Sequence, residues 1–184
     1  MLRLTLKVRQ SHDAWNYCHF ACFHVTELTT TSIFVTGHCF MLEDGGEWDN
    51  VFDKNLGAKV GRLPRDTPRV GESDFFPSVF WITNPMNTFT GNVAAGSQGP
   101  GFWFELKLRA PSSELEINHG INPKVLGQKP FRDNAAHSSG FRAGFTTYES
   151  GYQAPPGTLW ENIKAYKNNE AGLFQHGTRS EQFL

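Results

Sequence analysis

A spaced pattern of aromatic, asparagine and small residues constrains the fold of this chain more than any other feature. The pattern aromatic-x-x-Asn-x-small occurs four times, and its asparagines, Asn55, Asn92, Asn134 and Asn169, are 37, 42 and 35 positions apart. Such repetition is typical of a solenoid, in which stacked coils share one core. Asparagine tolerates the left-handed conformation at a coil corner and can bond to the asparagines above and below it. We therefore predict that these four residues form a structural ladder in a parallel β-helix.

The competing interpretation is a chance echo of turn residues in an antiparallel sandwich, where such turns follow one another at shorter spacing. Four glycines that each precede a short apolar strand favour the solenoid: Gly37, Gly101, Gly144 and Gly172. Successive side chains of a strand point to opposite faces. After Gly101, this alternation predicts an inward set (Phe102, Phe104, Leu106 and Leu108) and an outward set (Trp103, Glu105, Lys107 and Arg109). Aligning Gly37 with Gly101 places His38 in the core and Cys39 outside.

Length, charge and the absence of long apolar runs limit the classes of protein to consider. The chain has 184 residues, a formal net charge of -1 and 19% charged residues, which gives no electrostatic basis for binding nucleic acid or an anionic membrane. The N-terminus lacks the apolar run of a signal peptide, and no window predicts a transmembrane segment. Three cysteines cannot form a closed disulfide framework, because at least one thiol is left over.

The chain is predicted to be all-β and to have three parts. Residues 1–32 are poorly patterned, residues 33–175 form the β-helix, and residues 176–184 form a polar tail. Three long Gly/Pro-rich connections, 57–77, 110–130 and 149–158, are predicted to be insertions that wall a binding face. The His/Cys-rich stretch 11–24 has the residue types of a zinc site, but its Cys-x3-Cys spacing matches no well-specified site, and the alternative is a poorly patterned segment.

Three strings resemble consecutive segments of one known family: GHCFMLEDGGEWDNVFDKNLG, FWITNPMNTFTGNVAAGSQGPGFWF and FRDNAAHSSG. The family comprises the cell migration-inducing and hyaluronan-binding protein (CEMIP), its cell-surface transmembrane relative and fibrocystin-L, and the resemblance covers residues 33–143. It implies a right-handed parallel β-helix of about four to five coils, with hyaluronan binding and depolymerisation at the cell surface or outside the cell. Residues 1–32 do not match, so the chain is expected to be a fragment whose exposed coil ends promote self-association.

The candidate catalytic residues are an acidic cluster, Glu43, Asp44 and Glu47, together with His137. Crowded carboxylates repel, which suits a general acid or base, or a hard cation such as calcium. The alternative is a solvated acidic corner with Asp44-Gly45 as the turn. His137 stands where the preceding repeat has Ala95, and it can act as an acid, a base or a ligand. The alternative for His137 is a hydrogen-bonded corner residue.

The candidate substrate-binding residues are two tryptophans, which can stack on sugar rings, and the charged residues near them: Trp81, Trp103, Glu105, Lys107, Arg109 and Arg142. The alternative is that the tryptophans lie under the insertions as satellite core. Three functions follow from these interpretations: a segment that helps to depolymerise a hyaluronan-like polysaccharide as a hydrolase or lyase, a glycan-binding module without catalysis, or a structural solenoid. Binding ranks above catalysis, because a composite active site would be incomplete in this chain.

Overall fold

The computed structural model describes residues 31–42, 45–64, 75–106, 121–148, 150–176 and 179–183. The described chain winds through five coils of three strands each. The first coil contains β1 (Thr31–Ile33), β2 (Phe40–Met41) and β3 (Val51–Asp53), and the second contains β4 (Leu56–Val60), β5 (Phe80–Ile82) and β6 (Thr88–Thr90). The third contains β7 (Val93–Ser97), β8 (Phe102–Phe104) and β9 (Phe131–Arg132), and the fourth contains β10 (Ala135–Ser139), β11 (Ala143–Thr146) and β12 (Gln153–Glu161). The fifth contains β13 (Lys164–Tyr166), β14 (Ala171–Phe174) and β15 (Arg179–Phe183).

Every strand pairs in parallel with its counterpart in the next coil, which builds three five-stranded sheets. Sheet I has the order β1-β4-β7-β10-β13, sheet II has β2-β5-β8-β11-β14, and sheet III has β3-β6-β9-β12-β15. This arrangement confirms the predicted parallel β-helix and its number of coils. The helix extends to β15, beyond the expected end at residue 175, so the predicted polar tail contains a strand. Among the described residues, no helix is long and apolar enough to cross a bilayer.

Two columns of aromatic rings fill the interior. In sheet II, Phe40, Phe80, Phe102 and Phe145 stack with ring centroids 4.4 to 4.9 Å apart. In sheet III the register runs Phe52, Phe89, Phe131 and Trp160. The stacking distance matches the spacing between neighbouring strands, so one aromatic per coil continues each stack. Burying each of these side chains contributes about 1.5 to 3 kcal/mol.

An asparagine ladder runs along the corner between sheets III and I. The side-chain oxygen of Asn92 accepts hydrogen bonds from the backbone N–H and the amide of Asn55, at 2.9 and 2.8 Å. Asn134 accepts the same two bonds from Asn92, at 3.0 and 3.1 Å. We expected the asparagine itself to adopt the left-handed conformation at this corner. The residue before the ladder position adopts it instead, and in successive coils this residue is Lys54, Gly91, Asp133 and Asn162. The asparagine satisfies the corner's buried backbone groups instead.

The prediction that Asn169 continues this ladder is wrong. Asn134 has its counterpart at Ile163, because Ala135 pairs with Lys164, and Ile163 packs against the core. Asn169 lies one corner further along, between β13 and β14, where it is exposed and its amide reaches the Gly140 carbonyl at 3.4 Å. The fourth coil carries no long insertion, so the counterpart of Asn134 comes earlier in the chain than the spacing of the asparagines predicted.

The long connections lie on either side of sheet II. Residues 61–79 join β4 to β5, and residues 105–130 join β8 to β9. The third predicted insertion, 149–158, is wrong in large part, because β12 begins at Gln153. The described part of the connection 105–130 contains a 3-10 turn at Pro123–Val125, and the Asn122 side chain caps this turn.

Candidate functional site

Glu47, at the corner between sheets II and III, is the member of the predicted acidic cluster that the structure describes; Glu43 and Asp44 lie outside the described residues. Its carboxylate is 5% exposed and accepts the Gly45 N–H at 3.1 Å. It lies in the first coil, whereas His137 lies on sheet I in the fourth coil. The structure therefore does not bring Glu47 and His137 to one face of the solenoid. Among the described residues, no group of three His, Cys, Asp or Glu side chains could hold a metal ion.

Trp81 and Trp103 lie next to each other on the outer side of sheet II, where the alternation predicted Trp103. They are nevertheless 7% and 4% exposed, so neither offers an open ring for a sugar. The Trp81 indole donates to Glu105 Oε2 at 2.6 Å, and the Trp103 indole donates to the Tyr148 carbonyl at 3.1 Å. This burial corresponds to the satellite core named above as the alternative. Lys107 and Arg109 lie outside the described residues.

His38 packs with these tryptophans rather than in the interior. Its ring stacks on Trp81 at 4.8 Å, and its Nδ1 accepts the Ser78 N–H at 3.1 Å. Cys39, predicted to face outward, is instead buried in the interior cluster. Gly37 and Gly101 are thus not equivalent: Phe40, not His38, stands in register with Phe80 and, through it, with Phe102.

Arg142 lies at the corner between sheets I and II on a bed of aromatic rings. Its guanidinium carbon is 4.2 Å from the ring centre of Tyr148, 4.9 Å from Phe141 and 5.6 Å from Phe174. The side chain remains 30% exposed, and its ion pair with Glu170 is loose, at 4.0 Å. We call Arg142, Tyr148 and Phe174 the aromatic rim.

The rim contains residues that the sequence argument did not single out. Tyr148 lies two residues after β11, Phe174 is the last residue of β14, and His176, beside the rim, lies two residues after β14. Side chains alternate between the two faces of a strand, and each of these three residues is an odd number of positions from an inward residue, Phe145 or Leu173. Alternation therefore predicts that all three lie on the outer side. His176 is exposed, and its ring centre lies 5.9 Å from that of Tyr148.

His137 lies on the outer side of sheet I, in register with Ala95 and Tyr166. Its ring stacks on Tyr166 at 4.7 Å with an interplanar angle of 16°, and its Nδ1 is 3.2 Å from the Ser138 hydroxyl. Tyr166 is 51% exposed. The histidine is therefore a half-buried surface residue of a strand, not a corner residue.

The outer side of sheet III is polar. Asp53, Thr90, Arg132 and Glu161 occupy one row of register. A hydrogen bond from Thr90, at 2.5 Å, and then one from Lys54 hold the pKa of the Asp53 carboxyl below its ordinary value. This row lacks the aromatic rings of the rim, which makes the corner between sheets I and II the better candidate for a ligand.

Comparison with known proteins places this architecture in context. The family described as CEMIP beta-helix matches residues 27–145. A G8 domain-containing protein of Dictyostelium discoideum is 37% identical over an alignment of 153 residues, and the match covers 73% of this chain and 13% of that protein. Fibrocystin-L of Mus musculus is 32% identical over 107 residues, 58% of this chain and 2% of that protein. The chain thus spans a small part of the length of these relatives.

Proposed function

The chain belongs to the CEMIP β-helix family, and from that premise we propose that it binds a hyaluronan-like polysaccharide at the aromatic rim. The observation that carries the proposal is Arg142, a cation held over three rings with 30% of its side chain exposed. The same premise supports a setting outside the cell or at its surface.

The rim combines the two groups that an acidic sugar requires. A guanidinium binds a carboxylate through two parallel hydrogen bonds, and stacking on aromatic rings leaves its edge available for them. Tyr148 and Phe174 are half-buried and supply apolar surface for the C–H face of a pyranose ring. Arg142 has a left-handed backbone, with φ of 61°, which fixes the direction in which its long side chain leaves the corner.

Glu170 is an internal competitor for the arginine. The pair is 4.0 Å apart and both side chains are partly exposed, so it contributes at most about 1 kcal/mol. A ligand carboxylate that forms two short hydrogen bonds replaces this contact at little cost.

Binding is the activity that we propose for this segment by itself. Hydrolysis of a glycosidic bond needs two carboxyl groups at a defined separation across it. Glu47 is buried and lies far around the solenoid from His137, so depolymerisation by this segment would depend on groups other than these two. A structural solenoid is the second candidate, favoured by the burial and hydrogen bonding of Trp81 and Trp103.

The proposal is tested by passing size-defined hyaluronan over immobilised protein, with and without calcium, while polymer length is followed. We expect retention that decreases with added salt. Arg142→Gln should weaken it about tenfold, equivalent to about 1.4 kcal/mol, because the charged contact is lost. Arg132→Gln, which removes an exposed arginine from sheet III, is the matched control and should bind as wild type does.

Equal loss of retention in the two variants would contradict the proposal that the aromatic rim is the binding site. Shortening of the polymer would support depolymerisation in addition to binding. Absence of retention in wild type would leave the structural solenoid.

A further inference from the structure

Sheet I presents an outer face on which charge and ring stacking are distributed unevenly. Three rows run along it, one residue from each coil. The first is Thr31, Leu56, Val93, Ala135 and Lys164; the second is Ile33, Ala58, Ala95, His137 and Tyr166; the third is Phe34, Lys59, Gly96, Ser138 and Lys167. These described rows hold three lysines and no acidic residue.

The second row contains an unfinished stack. Tyr166 covers one face of the His137 ring at 4.7 Å. The opposite face is turned toward Ala95, whose side chain is a single methyl group, and the next residue is Gly96. Both are half-buried rather than covered. The result is a notch two strand spacings wide, between His137 and Ile33, with His137 as one wall and Ala95, Gly96 and Ala58 as its floor.

The aromatic rim begins at the next corner of the coil that carries His137. The fourth coil carries His137 on sheet I and then Arg142 at the next corner, and Tyr148 follows after β11. A chain of sugar rings that contacts Arg142 can therefore extend across the corner onto sheet I. Lys59, which is exposed and aligned with Gly96 in the third row, complements a negatively charged ring.

We propose that this notch is a second subsite, in which the ring of an acidic sugar stacks on the free face of His137 and extends the Tyr166–His137 stack by one step. This inference rests on the proposed function, because it takes the ligand to be an acidic polysaccharide. It also gives His137 a role in binding rather than in acid-base chemistry.

The decisive variant is Ala95→Phe, which places an aromatic ring in the notch at the stacking distance of the aromatic columns. It should weaken the affinity for a hyaluronan oligosaccharide between about three- and tenfold, the usual worth of an aromatic stacking contact. Ala135→Phe adds the same ring to the first row, on β10 rather than β7 and outside the notch. This variant should leave the affinity unchanged. Thermal melting of both variants reports whether they fold.

A second measurement does not depend on those variants. The imidazole proton resonance of His137, assigned by its loss in His137→Gln, should shift and saturate as the oligosaccharide is added to wild type. An unmoved resonance, or equal affinities of the two phenylalanine variants, overturns the subsite. The proposed function is tested separately from the subsite. If Arg142→Gln weakens the affinity and Ala95→Phe does not, the ligand binds at the rim and not at the notch. If only Ala95→Phe weakens the affinity, the ligand binds at the notch and not at the rim.

Discussion

Asn92→Ala is the most informative test of how the coils are held together. The Asn92 side chain makes four buried hydrogen bonds: it accepts two from Asn55, and it donates to the Phe52 carbonyl at 2.9 Å and to Asn134 at 3.1 Å. At about 1 kcal/mol for each bond, alanine should lower the free energy of unfolding by about 4 kcal/mol. For a chain of this size that corresponds to a decrease in Tm of about 8 to 16 °C.

Asn169→Ala is the matched control, because Asn169 came from the same repeat pattern but lies outside the ladder. It is exposed and its side chain makes a long bond of 3.4 Å. We expect a change within about 0.5 kcal/mol. Both variants can be followed by urea and thermal unfolding monitored by circular dichroism. Equal losses of stability in the two, or a loss below about 1 kcal/mol in Asn92→Ala, would refute the ladder as a source of stability.

Two further predictions concern packing and pH. Gly57→Ala should destabilise the fold by about 1 to 3 kcal/mol, because a Cβ there would lie 2.3 Å from Val79 Cγ1. Gly127→Ala is the control and should be neutral, because a Cβ there would have nothing within 4 Å. Similar urea midpoints for the two variants would contradict this prediction. Hydrogen bonds from Thr90 and then Lys54 lower the folded pKa of Asp53 below its ordinary, unfolded value. The stability that this carboxylate contributes is therefore present above the unfolded pKa and is lost as pH falls through the folded pKa. Thr90→Val should reduce this acid loss of Tm, and an unchanged Tm–pH profile would exclude the Thr90 hydrogen bond as its cause.

The interior was predictable from sequence because it obeys two short rules. Inward aromatics recur once per coil, and Asn55, Asn92 and Asn134 mark the same corner, so spacing and alternation together identify the solenoid. The registers of β3, β6 and β9 and of β4, β7 and β10 follow from these residues.

The fourth repeat could not be placed correctly from spacing. Without a long insertion, the coil shortens to 29 residues, as the bond between Asp133 and Asn162 shows. Trp160 and Ile163 then carry the positions assigned to Tyr166 and Asn169. A motif search that requires asparagine misses a coil in which an apolar residue takes its place.

The candidate site was only partly predictable, because alternation gives the direction of a side chain but not what covers it. Trp103 points outward as expected and Trp81 lies beside it, yet the turn at Tyr148 and His38 of the first coil pack against them. Arg142 was predicted as a binding residue, but the rings beneath it come from two neighbouring coils. Its contact with Phe174 forms only when β11 and β14 pair.

The proposed role of Arg142 is measured by the equilibrium binding of a fluorescent, size-defined hyaluronan oligosaccharide to wild type and to Arg142→Gln at two salt concentrations. We expect saturable binding by wild type that weakens with salt, and a Kd about tenfold higher for the variant. Absence of saturable binding, or the same Kd for both proteins, would contradict this role.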